Sequence, residues 1–376
     1  VQRPFWSRYR YPLLVFALSR AVTFGLFAME GWVTRHPARS GISFTPLFRD
    51  LGSWDGIWYR QIAQHGYDPV LMHGNTAAFF PLYPTLLSGL RGILPFFDIV
   101  WLGAILSTAL FAAGLCLLYG LTLERFGPQI ARRTVLYLAI SPLAFIFSAV
   151  YAESLFLVLA VGTFVCVERG RWILANAVGA LAVLARPVGI TLAPALAYKA
   201  WTDSGRRFDR RFLIRLAPVL LLPAAEVAFA LFLWWRTGDP AATLHAQARG
   251  WGRGASFPPV LLYQTLTNGV LHQGFLRYAV DAAFAVFWLA LFVVLWRDRR
   301  EVPAEYAIFA AGVVFMPFAA GSMVSAGRLG MMGFPLFWAL AILGRREGVD
   351  TAVKIVFPSL MAALMFITYG QGTFTP

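Results

Sequence analysis

A succession of apolar runs, separated by short loops dense in arginine, limits this chain to few folds. Residues 101–123, WLGAILSTALFAAGLCLLYGLTL, carry no charged side chain, and a helix of about 20 apolar residues spans the hydrocarbon core of a bilayer. In hydrocarbon every backbone N–H and C=O must be paired within its own segment or in a closed barrel, so runs of this length become helices. Charged residues make up 13% of the chain, against roughly 25% in soluble domains, which leaves too little polar surface for a water-soluble globule. The expected fold class is an all-α polytopic membrane protein, one domain over residues 1–376. About eleven segments are expected, near 11–30, 98–123, 133–150, 152–168, 172–186, 188–200, 212–235, 277–296, 303–320, 328–344 and 352–370. Tyr11–Val33 is too long for the apolar core of a signal peptide and lacks a small-residue cleavage site, so it reads as the first span.

Charge supplies an orientation. A net charge of +14 would suggest a nucleic-acid partner in a soluble protein, but here only two of the 32 basic residues are lysine and the arginines punctuate the apolar runs. With the N-terminus inside, twenty basic residues fall on the inner side and ten outside, with Arg20 and Arg186 at membrane depth. This is the positive-inside pattern, and it points to an anionic lipid surface rather than to nucleic acid. Two long outer loops result, at 31–97 and 236–276. Residues 172–200 as a single helix would reach roughly 44 Å and put the arginine loop 201–215 outside. A hairpin bent at Arg186–Pro187 keeps that loop inside and is the expected arrangement. Cys116 and Cys166 lie in apolar runs and read as buried packing residues, with no disulfide or metal framework.

The first outer loop concentrates the chemistry. Leu51, Trp54, Trp58 and Ile62 form one helical stripe, which predicts an interfacial helix over 51–66. The run 79–97, with Pro81, Pro84 and Pro95, predicts a second short surface helix. Of the 18 carboxylates, Glu30, Asp50, Asp55, Asp68, Asp98, Glu153, Asp239 and Asp281 fall on or near the outer side. Asp55, set among Trp54, Trp58 and Tyr59, can take a proton from a hydroxyl or can cap the helix that follows it. Glu153 reads either as an N-cap or as an acceptor lining a cavity. Glu226 lies inside a span and is expected to pair with an intramembrane arginine such as Arg20. Arg186, Arg249, Arg253 and Arg328 can grip a lipid phosphate in bidentate fashion or snorkel to headgroups. His65 and His245 stand alone, without thiols or carboxylates at metal-ligand spacing. No Walker loop, G-x-G-x-x-G, G-x-S-x-G or H-E-x-x-H occurs, so ATP-driven transport and zinc proteolysis find no support.

SWDGIWYRQIAQHGY at 53–67, with AAFFPLYP at 77–84, resembles the first-loop signature of the GPI mannosyltransferases of the PIG-V type. SPLAFIFSAVYAESLF at 141–156 is similar to that family's S-P…FSA-Y-E-S segment, and ARPVG at 185–189 to its A-R-x-x-G turn. GDPAATLHAQARGWGR at 238–253 resembles its second-loop motif, and GRLGMMGFPLFWALA at 327–341 its late R…P-L-F segment. Arginine-dominated loops point to a prokaryotic relative, in a bacterial cytoplasmic membrane. The resemblance implies the GT-C glycosyltransferase fold, a polyprenyl-phosphate mannose donor and an inverting transfer to a hydroxyl of a lipid-linked or other acceptor, whether glycolipid, glycan or protein, on the extracytoplasmic side. No metal or other cofactor is called for.

The family's loop acid maps onto Asp55, which becomes the catalytic base. Arg186 and Arg328, with His245 or Arg249, would bear the charge growing on the departing phosphate. Trp54, Trp58 and Tyr59 would anchor the loop helix and offer faces to the sugar, while Tyr151 and Glu153 orient hydroxyls. Two rivals use similar residues: a transporter or flippase for polyprenyl-linked sugars, and a subunit that binds glycolipid without turnover.

Overall fold

The computed structural model describes residues 5–35, 50–254, 260–261, 275–298, 300–371 and 374. Among the described residues every regular element is helical. The first, α1 (Phe5–Arg35), is apolar on most faces, with Arg20 buried midway. Two shorter helices follow, α2 (Asp55–His65) and α3 (Leu82–Ile93), close to the two surface helices expected in the first outer loop. Residues 36–49 of that loop, and 255–259 and 262–274 of the second, lie outside the described residues.

α2 does not lie on a membrane by the expected stripe. Its buried positions are Asp55, Gly56, Tyr59, Ile62 and Ala63, while Trp58 is half-buried. Protein, not headgroup, covers the indole: Trp58 stacks on Phe79 at 5.7 Å and meets Trp251 at 5.6 Å between ring centres. The helix is turned so that its acid and phenol face inward.

α4 (Ile99–Ala139) starts at Asp98, whose carboxylate accepts from the Val100 N–H at 2.8 Å, and it breaks at Gly127 (φ +80°) before Pro128. The expected span 133–150 is therefore not one helix. α4 stops at Ala139, Ser141–Pro142 makes a turn, and Ala144–Ser148 is a short 3₁₀ segment, all buried. Proline disfavours a helical conformation in the residue before it, and this break exposes carbonyls in the interior. Arg20 satisfies them. Its Nη1 donates to the Ala144 carbonyl and to Ser148 Oγ, each at 3.0 Å, and its Nη2 donates to the Ala139 carbonyl at 3.2 Å. Arg20 is thus not the partner of Glu226 that the sequence suggested.

α5 (Glu153–Glu168) and α6 (Trp172–Ala185) pack together, and the chain leaves helix at Arg186 (φ −156°, ψ 143°) before Pro187–Thr191 and α7 (Leu192–Asp203). The bend expected at Arg186–Pro187 is present. Gly189 permits it, because a Cβ there would stand 2.5 Å from the Ala182 backbone. The next helices are α8 (Arg210–Leu216), α9 (Leu221–Thr237), α10 (Ala242–Trp251), α11 (Phe275–Arg297) and α12 (Ala304–Ala319). The expected span 328–344 is two pieces, α13 (Ala326–Met331) and α14 (Pro335–Leu343), and α15 (Glu347–Met365) follows, ending in a π-helical turn, Phe366–Gln371.

Among the described residues, five stretches are long and apolar enough to cross a membrane: Arg8–Val33, Ile99–Ala139, Arg210–Thr237, Tyr278–Arg297 and Glu347–Gly370. α6 and α12 are apolar but shorter. α14 is apolar all round and buried along most of its length, as a helix enclosed by others must be. Cys116 and Cys166 are free thiols and only half-buried, less enclosed than expected.

Candidate active site

Asp55 opens α2, and the backbone before it is unusual. Trp54 has φ +54°, which a residue with a side chain seldom adopts. Two turns hold this entry: the Gly56 N–H bonds the Ser53 carbonyl and the Ile57 N–H bonds the Trp54 carbonyl, each at 3.0 Å. The Val150 N–H then donates to the Leu51 carbonyl at 2.8 Å, tying the loop to the segment that leads into α5. Asp55 is the first helical residue rather than the cap, and its carboxylate goes elsewhere. Oδ2 accepts a short hydrogen bond from Arg328 Nη1.

That bond is one link of a buried alternating cluster. Arg328 Nε lies 3.4 Å from Glu153 Oε1, and the same oxygen accepts from Arg186 Nη1. Asp55, Glu153, Arg186 and Arg328 are all at most 9% exposed. Burying an ion is expensive unless a counter-ion and hydrogen bonds meet it, and here each ion has an opposite neighbour. The Arg328 guanidinium also sits 5.4 Å from the centre of the Tyr151 ring, within cation–π range. Arg328 arrives on α13, whose preceding residue, Ser325, has φ +66° and offers its Oγ to Arg328 Nη2 at 3.4 Å. Both members of the Asp55–Arg328 pair thus lie in the first turn of a helix entered through a non-glycine residue with positive φ. Such conformations cost on the order of 1–3 kcal/mol and tend to gather at functional sites.

A polar relay fixes the floor. Tyr83 Oη donates to the Gly103 carbonyl at 3.1 Å and lies 2.8 Å from Ser107 Oγ, which donates to the Tyr151 carbonyl at 3.1 Å. Tyr59 is 3% exposed and packs edge-on against Phe79 and Tyr83, at 5.2 and 5.0 Å. Its burial pushes the phenol pKa up. It is an interior residue, not the interfacial anchor expected from the sequence. Among the described residues, Glu153 Oε2 and the Tyr151 hydroxyl have no hydrogen-bond partner. Buried polar atoms of this kind call for an explanation, and a substrate hydroxyl would provide one.

The remaining expected residues separate. Trp54 is half-buried beside the acid it precedes. His245 and Arg249 are exposed on α10, where His245 Nδ1 lies 2.8 Å from Asp239 Oδ2. That contact, with the Ala241 N–H, holds the Asp239 carboxyl below its usual range. Neither residue joins the buried cluster. Arg253, two residues past α10, faces it instead, within electrostatic range of Arg328, Asp55 and Arg186. The sequence places Arg253 among the outer cations but gives no reason to rank it above Arg249. Among the described residues no three His, Cys, Asp or Glu side chains gather as metal ligands.

Among curated proteins none matches the chain. Among solved structures it is similar to the Archaeoglobus fulgidus oligosaccharyltransferase. The apo form is 13% identical with a TM-score of 0.46, the match covering 98% of this chain and 56% of that one. The form tethered to an acceptor peptide is 14% identical with a TM-score of 0.45, covering 98% and 55%. The complex with an inhibitory peptide and a dolichol-phosphate is 15% identical with a TM-score of 0.39, again covering 98% and 55%. The chain spans about half the length of these proteins. Closer to home, the profile of one sequence family, mannosyltransferase (PIG-V), matches residues 41–233. That stretch holds Asp55, Tyr151, Glu153 and Arg186, and it stops before the second outer loop and α13. With just over half of its 376 residues matched in this way, the chain belongs to the mannosyltransferase (PIG-V) family.

Proposed function

We propose that this integral membrane protein is a glycosyltransferase of the GT-C type. It transfers mannose from a polyprenyl-phosphate mannose donor to a hydroxyl of a lipid-linked or other extracytoplasmic acceptor, with inversion. The observation that carries the reading is the buried cluster of Asp55, Glu153, Arg186 and Arg328, assembled from separate loops and helix ends. Family membership supports the reaction class, and the two-to-one arginine bias supports the sidedness.

In the reaction, the acceptor O–H gives its proton to the Asp55 carboxylate as its oxygen bonds the anomeric carbon. The bond from that carbon to the phosphate oxygen breaks on the opposite face, and its electron pair leaves with the phosphate. One base suffices, since the phosphate departs without needing a proton. A fixed guanidinium beside the cluster then meets the growing negative charge in a low-dielectric setting, where fixed cations act strongly. Glu153 Oε2 and the Tyr151 hydroxyl are free to hold substrate hydroxyls, and the half-buried Trp54 and Trp58 flank the acid. A transporter of polyprenyl-linked sugars could use the same cations, but it has no task for a carboxylate presented by a strained turn. Purified protein incubated with labelled polyprenyl-phosphate mannose and membrane lipid decides between them. Label moving into a new product is the expected result. Label that only crosses the bilayer, still on its polyprenyl carrier, overturns the reading.

A further inference from the structure

The cations around Asp55 are not equivalent. Arg328 is held by two acids: Nη1 donates to Asp55 and Nε, though not hydrogen-bonded, lies 3.4 Å from Glu153 Oε1, while Nη2 donates to Ser325 Oγ. Arg186 gives Nη1 to Glu153. An anion drawing either arginine away would leave a buried carboxylate without its counter-ion, which is strongly unfavourable. Arg253 differs. Its Nη1 donates to Gln247 Oε1 at 3.2 Å and its Nη2 to the Val324 carbonyl at 3.4 Å, both neutral partners. Its Nε is enclosed and has no hydrogen-bond partner among the described residues. Within ion-pair distance it meets no carboxylate among the described residues, although Asp55 and Asp281 lie in electrostatic range.

We propose that Arg253 is the seat for the phosphate of the lipid-linked donor, and that Arg186 and Arg328 instead serve as counter-ions that hold Glu153 and Asp55 in place. This rests on the donor class proposed above. A guanidinium fork suits a phosphate, giving directed charge-assisted hydrogen bonds, and this one is held for the purpose. The carbonyl it grips belongs to Val324, next to Ser325, the turn that delivers Arg328. The Gly254 N–H bonds the Ala320 carbonyl at 3.1 Å, anchoring the same loop to the end of α12. Burial and the neighbouring Arg328 push the Arg253 pKa down to about 10, as expected of a cation whose anion comes from outside the protein. A phosphate seated here leaves the Asp55–Arg328 bond unbroken.

The test uses the full chain in phosphatidylcholine nanodiscs, with farnesyl phosphate as the anionic probe and farnesol as its uncharged counterpart. Arg253→Gln is expected to weaken farnesyl phosphate binding by about tenfold or more, the scale of a lost charge-assisted hydrogen bond. Farnesol binding stays unchanged, Arg253→Lys recovers part of the loss, and KM for the donor rises more than kcat falls. Farnesyl phosphate binding to Arg253→Gln at wild-type strength overturns the proposal, as does an equal loss of farnesol, which would signal general disruption. Asp55→Asn run in parallel separates the two readings. If it binds farnesyl phosphate normally yet still turns over, the base assignment fails and the phosphate seat stands. If it is inactive while Arg253→Gln binds normally, only the seat fails.

Discussion

Two polar regions of this molecule look alike in sequence and differ in the structure. One is the cluster of Asp55, Glu153, Arg186 and Arg328. The other is the trio Asp239, His245 and Arg249 on and before α10, in a loop of higher polarity. The first is at most 9% exposed and joins residues as far apart as 273 positions. In the second, His245 and Asp239 lie six residues apart, and the His245 side chain is 58% exposed. The members of the buried cluster all sit where the chain enters or leaves a helix. Asp55 and Glu153 are first helical residues, Arg186 follows the end of α6, and Arg328 stands two residues inside a six-residue helix. His245 and Arg249 sit within a continuous helix and turn toward solvent. Breaks in regular structure gather charge here, because non-helical backbone deep in such a fold is tolerated only where protein or a polar cavity satisfies it.

Four changes would break or sharpen this contrast. The largest stability loss is expected for Glu153→Gln, which takes the counter-ion from Arg186 and half of the support from Arg328. Removing one partner of a buried ion pair costs about 3–5 kcal/mol, read as a marked fall in Tm in detergent. Tyr83→Phe comes next. It deletes a hydroxyl that bonds Gly103 and Ser107 and so braces Tyr151. A loss of about 1–2 kcal/mol is expected, with a fall in kcat at unchanged donor KM. His245→Ala and Arg249→Ala mark the low end. Each is expected to change turnover by no more than about threefold, the scale of an exposed ion pair. A larger loss from either would erase the distinction between the two regions. The smallest effect is one of pH. The Asp239 carboxyl is held below its usual range, so its contact with His245 contributes above the ordinary aspartate pKa. That contribution fades as pH falls through the lowered value, an expectation that NMR titration of Asp239 checks.

Much of the fold is legible in the sequence because helix identity in a membrane chain follows from apolar length alone. The bend at Arg186–Pro187 and the two helices of the first outer loop are legible for the same kind of reason, since proline and composition announce them. The breaks at 139–152 and 331–335 are harder to read. Inside a protein core no polar loop is needed to end a helix, so Ser141–Pro142 and Gly333–Pro335 pass unnoticed within apolar runs. The rotation of α2 is missed because the expected stripe assumed a lipid surface, whereas Phe79 and Trp251 cover Trp58. At the site, Asp55 can be found from its own motif. Its pairing with Arg328 cannot, for nothing local records a partner 273 residues away. Arg249 and Arg253 illustrate the same limit at short range. They share one motif, yet Gly252, at φ +60°, ends α10 between them and sends only Arg253 inward.

The central claim is that Asp55 takes the acceptor's proton, and single-turnover transfer by Asp55→Asn tests it most directly. Asparagine keeps the shape and an oxygen for Arg328, which also retains Glu153. A folded variant with wild-type binding of farnesyl phosphate and a rate about 10²–10⁴-fold lower, the usual contribution of a general base, is the predicted result. A rate within about threefold of wild type, which would leave less than ~1 kcal/mol of transition-state stabilisation to the carboxylate, contradicts it.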